Sequence, residues 1–201
     1  ETLYKAGIQI TTEYNEFGVE PKGEWITLQY WQIPYPDDAW FIEMSNKIYD
    51  NEKEVNVFFL APIFKALGYQ EEDFIFEYLV DLSLKSGRKK DKKERVDLVL
   101  FHGTDRTPEN ILVVCEAKTP DKPYSRAKIK NIEKAENDLE LYCSELKDAR
   151  RQIATNGDLI KVYKRCLGGI TPFLEIHRSE FKKWWSTLYL NLAKPVLLSE
   201  K

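Results

Sequence analysis

Short apolar segments alternate with polar turns along most of the chain, and their spacing predicts its helices and strands. Between residues 55 and 67 the apolar positions recur three and four residues apart, which is typical of an amphipathic helix. We expect this helix to begin near Asp50, to kink at Pro62 and to end at Gly68, a residue type that suits the left-handed conformation after a helix. Its apolar stripe consists of Val55, Phe58, Phe59, Ile63, Phe64 and Leu67.

Two later segments also predict helices. Residues 125–148 have a polar side and an apolar stripe, which consists of Ile129, Ile132, Leu139, Tyr142 and Leu146. Near the end of the chain, Ser179 is a suitable N-cap for a further helix. The apolar face of that helix contains Phe181, Trp184, Trp185, Leu188 and Tyr189.

Runs of β-branched and aromatic residues predict strands over 74–84, 95–101, 111–118, 151–155, 158–164 and 173–176. Asn156 and Gly157 lie between two of these strands and favour a type I′ hairpin turn. Helices fall between groups of strands along the chain. This order predicts an α/β fold, in which helices flank a central mixed β-sheet.

The first 49 residues are unusually aromatic, and we expect extra strands and loops there. The sequence therefore divides into a β-rich N-terminal extension, residues 1–49, and an α/β domain, residues 50–201. The aromatic side chains of the extension either stack on a bound base or cover a neighbouring sheet. They are Trp25, Tyr30, Trp31, Tyr35 and Trp40.

Composition limits the function classes. The chain has 201 residues, of which 43% are hydrophobic, so it can bury a substantial core. Its net charge is −3, so any site for nucleic acid must be a local basic patch. No apolar run approaches the ~20 residues of a membrane span. Three cysteines without a Cys-x-x-Cys pair indicate a reducing, cytoplasmic setting, and the first residue, Glu1, suggests a fragment of a longer protein.

The most informative feature is the pair of strands that carries Asp97 and Glu116. The loop between the strands is rich in turn-forming residues, so the pair predicts a hairpin. If the turn centres near Arg106, Asp97 lies opposite Glu116, and Glu116 and Lys118 project from the same face of their strand. Two carboxylates and one ammonium group would then converge at one end of the hairpin.

This set of groups points to metal-dependent chemistry. The sequence has no phosphate-binding or dinucleotide-binding glycine motif, and its two histidines cannot form a histidine-rich zinc site. We expect Asp97, Glu116 and the Ala117 carbonyl to bind Mg²⁺, or Mn²⁺ as a substitute, with help from Glu54. Lys118 would hold the attacking water or a phosphate. Alternatively, these charged residues are merely solvated at the strand ends.

A dense basic segment precedes Asp97 and is a candidate for contact with a DNA backbone. The alternative is a solvated connector, because Asp91 and Glu94 interrupt it. Its members are Arg88, Lys89, Lys90, Lys92, Lys93 and Arg95.

The order of several motifs resembles the N-terminal nuclease domain in the R subunit of type I restriction enzymes. The similarity covers about residues 50–165. The helix from Glu54 through Pro62 to Leu67-Gly68-Tyr69 is similar to the first helix of that family. The other matching motifs are Glu77-Tyr78, Arg95-Val96-Asp97, Glu116-Ala117-Lys118-Thr119-Pro120 and Thr155-Asn156-Gly157.

The resemblance implies a PD-(D/E)xK nuclease fold, Mg²⁺ dependence, a DNA substrate and a place in a restriction or defence complex. The family often has Gln-x-x-x-Tyr on the helix after the Glu-x-Lys motif, whereas here Asp138 and Tyr142 occupy those places. An acid there would repel phosphate. Two alternatives therefore stay open: a catalytically inactive domain of the same fold that binds nucleic acid, and a protein-interaction module that uses the aromatic extension.

Overall fold

The computed structural model describes residues 33–81, 93–121, 130–142, 145–164 and 172–200. Its centre is a six-stranded sheet in which the strands follow one another in chain order. The strands are β1 (Phe74–Asp81), β2 (Lys93–Phe101), β3 (Ile111–Ala117), β4 (Arg151–Thr155), β5 (Leu159–Lys164) and β6 (Pro172–His177). β3 and β4 pair in parallel and the other neighbours pair antiparallel, so the predicted mixed sheet is confirmed.

Helices cover both faces of this sheet, as predicted. They are α1 (Asp38–Asn46), α2 (Glu52–Val55), a π-helix (Asn56–Leu60), α3 (Ala61–Ala66), α4 (Asn131–Tyr142), α5 (Phe181–Leu192) and α6 (Lys194–Ser199). One apolar core lies between the sheet and α1, α2, α3, α5 and α6. A second, smaller core lies between the other face and α4, which connects the parallel strands β3 and β4. In the described part of the chain, no helix is long and apolar enough to cross a membrane.

The segment from Glu52 to Ala66 is helical throughout, but its middle turn is widened. Ala61 donates its N–H to the carbonyl of Asn56, five residues earlier, and Pro62 follows directly. Gly68 has a φ of +93° after this helix, so the predicted terminating glycine is confirmed. Phe58 does not join the apolar stripe as predicted. It is 45% exposed, and the Lys47 ammonium lies 4.5 Å from its ring centroid.

Several local predictions were wrong. Residues 145–148 form a turn rather than the end of a helix over 125–148, and residues 125–129 lie outside the described ranges. Ser179 lies within a 3-10 turn, so Glu180 precedes α5 instead. Gly157 has a positive φ whereas Asn156 does not, so the hairpin turn is not type I′. The Asn156 side chain forms the turn by accepting the N–H groups of Asp158 and Leu159.

The N-terminal region also differs from its prediction where it can be described. Residues 38–46 form α1, and Asp37 caps this helix by accepting the N–H of Trp40 at 2.8 Å. Phe41 and Met44 are buried against the main core, and the Trp40 ring packs on Trp185 with centroids 5.4 Å apart. Residues 1–32 lie outside the described residues, so the β-rich extension and its domain boundary stay predictions.

Candidate active site beside the end of β3

Asp97 and Glu116 lie side by side on neighbouring strands. The pairing of Leu98 with Cys115 and of Val99 with Val114 continues to place Asp97 opposite Glu116, as the sequence predicted. Asp97 Oδ2 accepts the backbone N–H of Ala117 at 2.8 Å. This bond fixes the Asp97 carboxylate against the end of β3.

Lys118 follows β3 directly and brings an ammonium group to these carboxylates. Its Nζ lies 2.9 Å from Glu116 Oε1, 3.0 Å from Asp138 Oδ2 and 3.9 Å from Glu52 Oε2. The Glu116 side chain is 5% exposed and that of Lys118 is 14% exposed. The predicted convergence of two carboxylates and one ammonium is therefore present, and two further carboxylates join it.

Burial raises the pKa of both central acids. The pKa of Glu116 rises to about 8, first because the carboxyl is buried and then because of the neighbouring Asp97 charge, against the lowering effect of Lys118. Burial also raises the pKa of Asp97, although the Ala117 N–H and the Lys118 charge oppose this rise. A buried pair of acids that repel each other is stabilised by a proton or by a cation placed between them.

The surrounding carboxylates raise the pKa of Lys118 as well. Burial by itself lowers its pKa, but Glu116, Asp138 and Glu52 outweigh it and raise the pKa above its ordinary value. Burial is also the largest cause of the raised pKa of Glu52. The raised pKa favours the ammonium form of Lys118, which suits it to hold a phosphate or a water molecule through its N–H donors.

Glu54 does not reach this site, in contrast to the prediction. Its two carboxylate oxygens accept the Asn51 side-chain N–H at 2.7 Å and the Asp50 backbone N–H at 2.9 Å, so Glu54 caps its own helix. Glu52 is the acid of this helix that faces Lys118. The spacing from Asn51 to Glu54 is that of a capping box, a signal that could have identified the role of Glu54 from the sequence.

Asn56 is a site residue that sequence reasoning missed. It begins the π-helix, is only 7% exposed, and its side chain hydrogen-bonds to Asp97, which lowers the pKa of that acid. Glu52 and Asn56 are four residues apart, so both lie on the helix face that meets the sheet. The signal was a polar residue within the otherwise apolar run from Val55 to Leu60.

The oxygen atoms of the site suit a hard divalent cation. Among the described residues, no three histidine, cysteine or acidic side chains are arranged to share a metal ion. An asparagine oxygen is a further ligand type that Mg²⁺ and Ca²⁺ accept. Glu116 Oε2 and Asn56 Oδ1 are both buried without a hydrogen-bond partner. Unpaired buried oxygens are costly, and Glu116 and Asn56 both neighbour Asp97, so these two atoms fit the binding of a cation there.

The turn from Thr155 to Gly157 supports the end of β3. The carbonyl of Thr155 accepts the backbone N–H of Lys118 at 2.8 Å, and the Thr155 hydroxyl accepts the N–H of Gly157 at 3.0 Å. A Cβ on Gly157 would lie 3.3 Å from the Val55 side chain and 3.4 Å from that of Pro120. The turn therefore packs between the helix that carries Glu52 and the segment that follows Lys118.

The predicted DNA-binding segment can be placed only in part. Lys93 and Arg95 belong to β2 and are exposed, and Arg95 pairs with the Glu77 carboxylate. Arg88, Lys89, Lys90 and Lys92 lie outside the described residues. Their contact with DNA stays a prediction.

Comparison with solved structures finds a distant similarity. A fragment named as the HsdR subunit of a type I restriction enzyme from Vibrio vulnificus YJ016 aligns with 68% of this chain at 16% identity and a TM-score of 0.41. The aligned part is 25% of that fragment, so this chain spans about a quarter of its length. No protein-family model matches the chain, and the search of curated proteins found no match.

Proposed function

We propose that this chain is a Mg²⁺-dependent DNA endonuclease domain, which hydrolyses phosphodiester bonds as a module of a restriction or defence protein. The observation that carries the proposal is the meeting of Asp97, in the middle of β2, with Glu116 and Lys118 at the end of β3. The ordered motifs of the sequence point to the same activity. The distant structural similarity carries no weight in this argument.

Each residue of the candidate active site has its own role in the proposed reaction. Asp97 and Glu116 would hold a Mg²⁺ ion, with the Asn56 amide oxygen as a third side-chain donor and the Ala117 carbonyl as a backbone donor. When bound, the ion would supply Lewis-acid stabilisation of the phosphate charge and a lowered pKa of a water molecule. Lys118 Nζ positions the attacking water or the phosphate through its N–H donors. The Ala117 N–H keeps Asp97 in place, since it bonds to Oδ2 at 2.8 Å.

Supercoiled plasmid cleavage tests the proposal. The wild type, Lys118→Ala and Asp97→Asn are incubated with Mg²⁺ or with EDTA, and the conversion of plasmid to nicked and linear forms is followed. We expect Mg²⁺-dependent cleavage by the wild type and a loss of about 100-fold or more in both variants. Asp105→Asn is the matched control, because Asp105 is exposed in the loop between β2 and β3. Equal nicking by all four proteins would overturn the proposal.

A second candidate function is DNA binding without cleavage. It is favoured by Asp138, whose carboxylate lies 3.0 Å from Lys118 Nζ and occupies one of its three N–H donors. If the wild type binds DNA but leaves plasmid intact in Mg²⁺ and in Mn²⁺, this candidate replaces the first. Pulldown of a protein partner, together with no DNA binding at low salt, would instead favour the interaction module.

A further inference from the structure

Asp138 and Lys118 form an ion pair at the point where a phosphate would enter the site. Asp138 comes from α4 and is 39% exposed, whereas the Lys118 side chain is 14% exposed. Asp138 is therefore the partner nearer to solvent. Of the two exposed acids beside the Lys118 ammonium, Asp138 at 3.0 Å is closer to Nζ than Glu52 at 3.9 Å, so Asp138 acts more strongly on an anion bound there.

Two of the three N–H donors of Lys118 already face acids. An ammonium group has three N–H donors. Glu116 Oε1 and Asp138 Oδ2 lie at 2.9 and 3.0 Å from Nζ, and Glu52 Oε2 is the next acid at 3.9 Å. Glu52 Oε2 at 3.9 Å is too far to accept a hydrogen bond, so one N–H donor of Lys118 remains for a phosphate oxygen. A phosphate bonded there shares the ammonium with the Asp138 carboxylate, and the two negative charges repel each other.

We infer that Asp138 restrains DNA binding at this site by competing with substrate phosphate for Lys118. The inference rests on the proposed function, because it requires a DNA phosphate at Lys118. Asp138 also keeps the Lys118 side chain in position, so its charge and its hydrogen bond have different consequences. Asn at this position retains an oxygen that can accept from Nζ, but it removes the negative charge that repels phosphate.

The test is binding of a short fluorescent DNA duplex in EDTA, measured by anisotropy over a range of salt concentrations. We expect Asp138→Asn to lower the dissociation constant by about two- to fivefold. The dependence of log K on log salt should steepen by about 0.9, which corresponds to one added phosphate contact. Glu140→Gln is the matched control. It removes one charge from an exposed position on the same helix, so we expect a change of less than about twofold.

A second pair of variants separates local competition from a general effect of charge. In the Lys118→Met background no ammonium remains, so Asp138→Asn should change the affinity no more than Glu140→Gln does there. The inference is overturned if Asp138→Asn behaves like Glu140→Gln in the wild-type background, or if its gain persists with Met at position 118. It is also overturned if no variant binds DNA at low salt.

Binding in EDTA keeps this inference separate from catalysis. A protein that shows the Asp138→Asn gain but never cleaves DNA supports the inference and contradicts the proposed nuclease activity. If the protein cleaves DNA but Asp138→Asn shows no such gain in affinity, the nuclease activity stands and the inference about Asp138 is wrong. Where cleavage is observed, Asp138→Asn should lower KM for DNA more than it changes kcat, because it acts on substrate binding.

Discussion

Glu77 faces Asp97 across the pairing of β1 with β2, at a position where the strand ladder is interrupted. Phe76 pairs with Leu98 and Tyr78 pairs with Val96, so Glu77 and Asp97 are the residues between two regular pairs. Glu77 has a φ of +54°, and no other non-glycine residue in the described ranges has a positive φ. Strained backbone in the middle of a strand, next to a candidate catalytic acid, is typical of functional sites.

The strain at Glu77 can be measured with two substitutions. We expect Glu77→Gly to be more stable than Glu77→Ala by about 1 kcal/mol, because alanine keeps the Cβ that disfavours a positive φ and glycine does not. Both variants lose the exposed ion pair with Arg95, so its contribution cancels in the comparison. Urea unfolding of the two variants measures the difference. Equal stability would show that the backbone at position 77 carries no strain.

A divalent cation should stabilise the fold by relieving the repulsion between Asp97 and Glu116. At a Mg²⁺ or Mn²⁺ concentration about 100-fold above the dissociation constant, binding contributes about 2.7 kcal/mol. For a chain of this size, that corresponds to a rise in Tm of about 5–10 °C. Glu116→Gln should show a much smaller rise, because it lacks one ligand charge. Differential scanning fluorimetry with added metal or EDTA is the measurement, and the same rise in both proteins would place the cation elsewhere.

Asp73 should make the free energy of unfolding depend on pH under acidic conditions. Its side chain is fully buried, and burial alone would raise its pKa, but hydrogen bonds from Lys194, Gln70 and Gly103 outweigh this and lower the pKa. The folded state therefore binds fewer protons than the unfolded state. The contribution to stability is complete above the unfolded pKa of about 3.9 and is lost as pH falls through the lower folded pKa.

The corresponding variant is Asp73→Asn, which leaves the Lys194 ammonium without its carboxylate. We expect it to lower the free energy of unfolding by about 3 kcal/mol at neutral pH. The difference from the wild type should shrink as pH falls from about 4 toward 2. Urea unfolding across this range measures it, with the exposed Asp105→Asn as control. A difference that stays constant with pH would contradict the linkage.

Gly157 should be far less tolerant of substitution than Gly103. Both have positive φ, but a Cβ on Gly157 would lie 3.1 Å from the Tyr49 ring and 3.3 Å from Val55, whereas a Cβ on Gly103 would have nothing within 4 Å. Gly103→Ala therefore measures only the cost of a positive φ for a residue with a Cβ, which is about 1 kcal/mol of the free energy of unfolding. We expect Gly157→Ala to cost about 1–3 kcal/mol more, because the side chains around it must shift.

The effect of Gly157→Ala should also reach the candidate active site. The turn that contains Gly157 holds the Lys118 backbone through Thr155, so a displaced turn moves the ammonium group. We expect the rate of plasmid cleavage to fall more in Gly157→Ala than in Gly103→Ala, when both are measured at a temperature at which both variants are folded. Equal loss of stability in the two variants would mean that the turn is not closely packed.

Local spacing was sufficient to predict the centre of the site. The turn-forming loop fixes which residues face each other in a hairpin, and alternation along a strand places Glu116 and Lys118 on one face. Asp97, Glu116 and Lys118 therefore converge as predicted. The mixed sheet and its flanking helices followed from the order of the elements.

The sequence by itself thus determined the order of strands and helices and the acid pair at the end of the hairpin, because both depend on neighbours along the chain or across one turn. Only the tertiary structure decided which residues surround that pair. Glu54 is used in capping its own helix, while Glu52, Asn56 and Asp138 reach the site. Their positions depend on how two helices are rotated and packed on the sheet, and packing between elements distant in sequence, not local periodicity, sets that rotation.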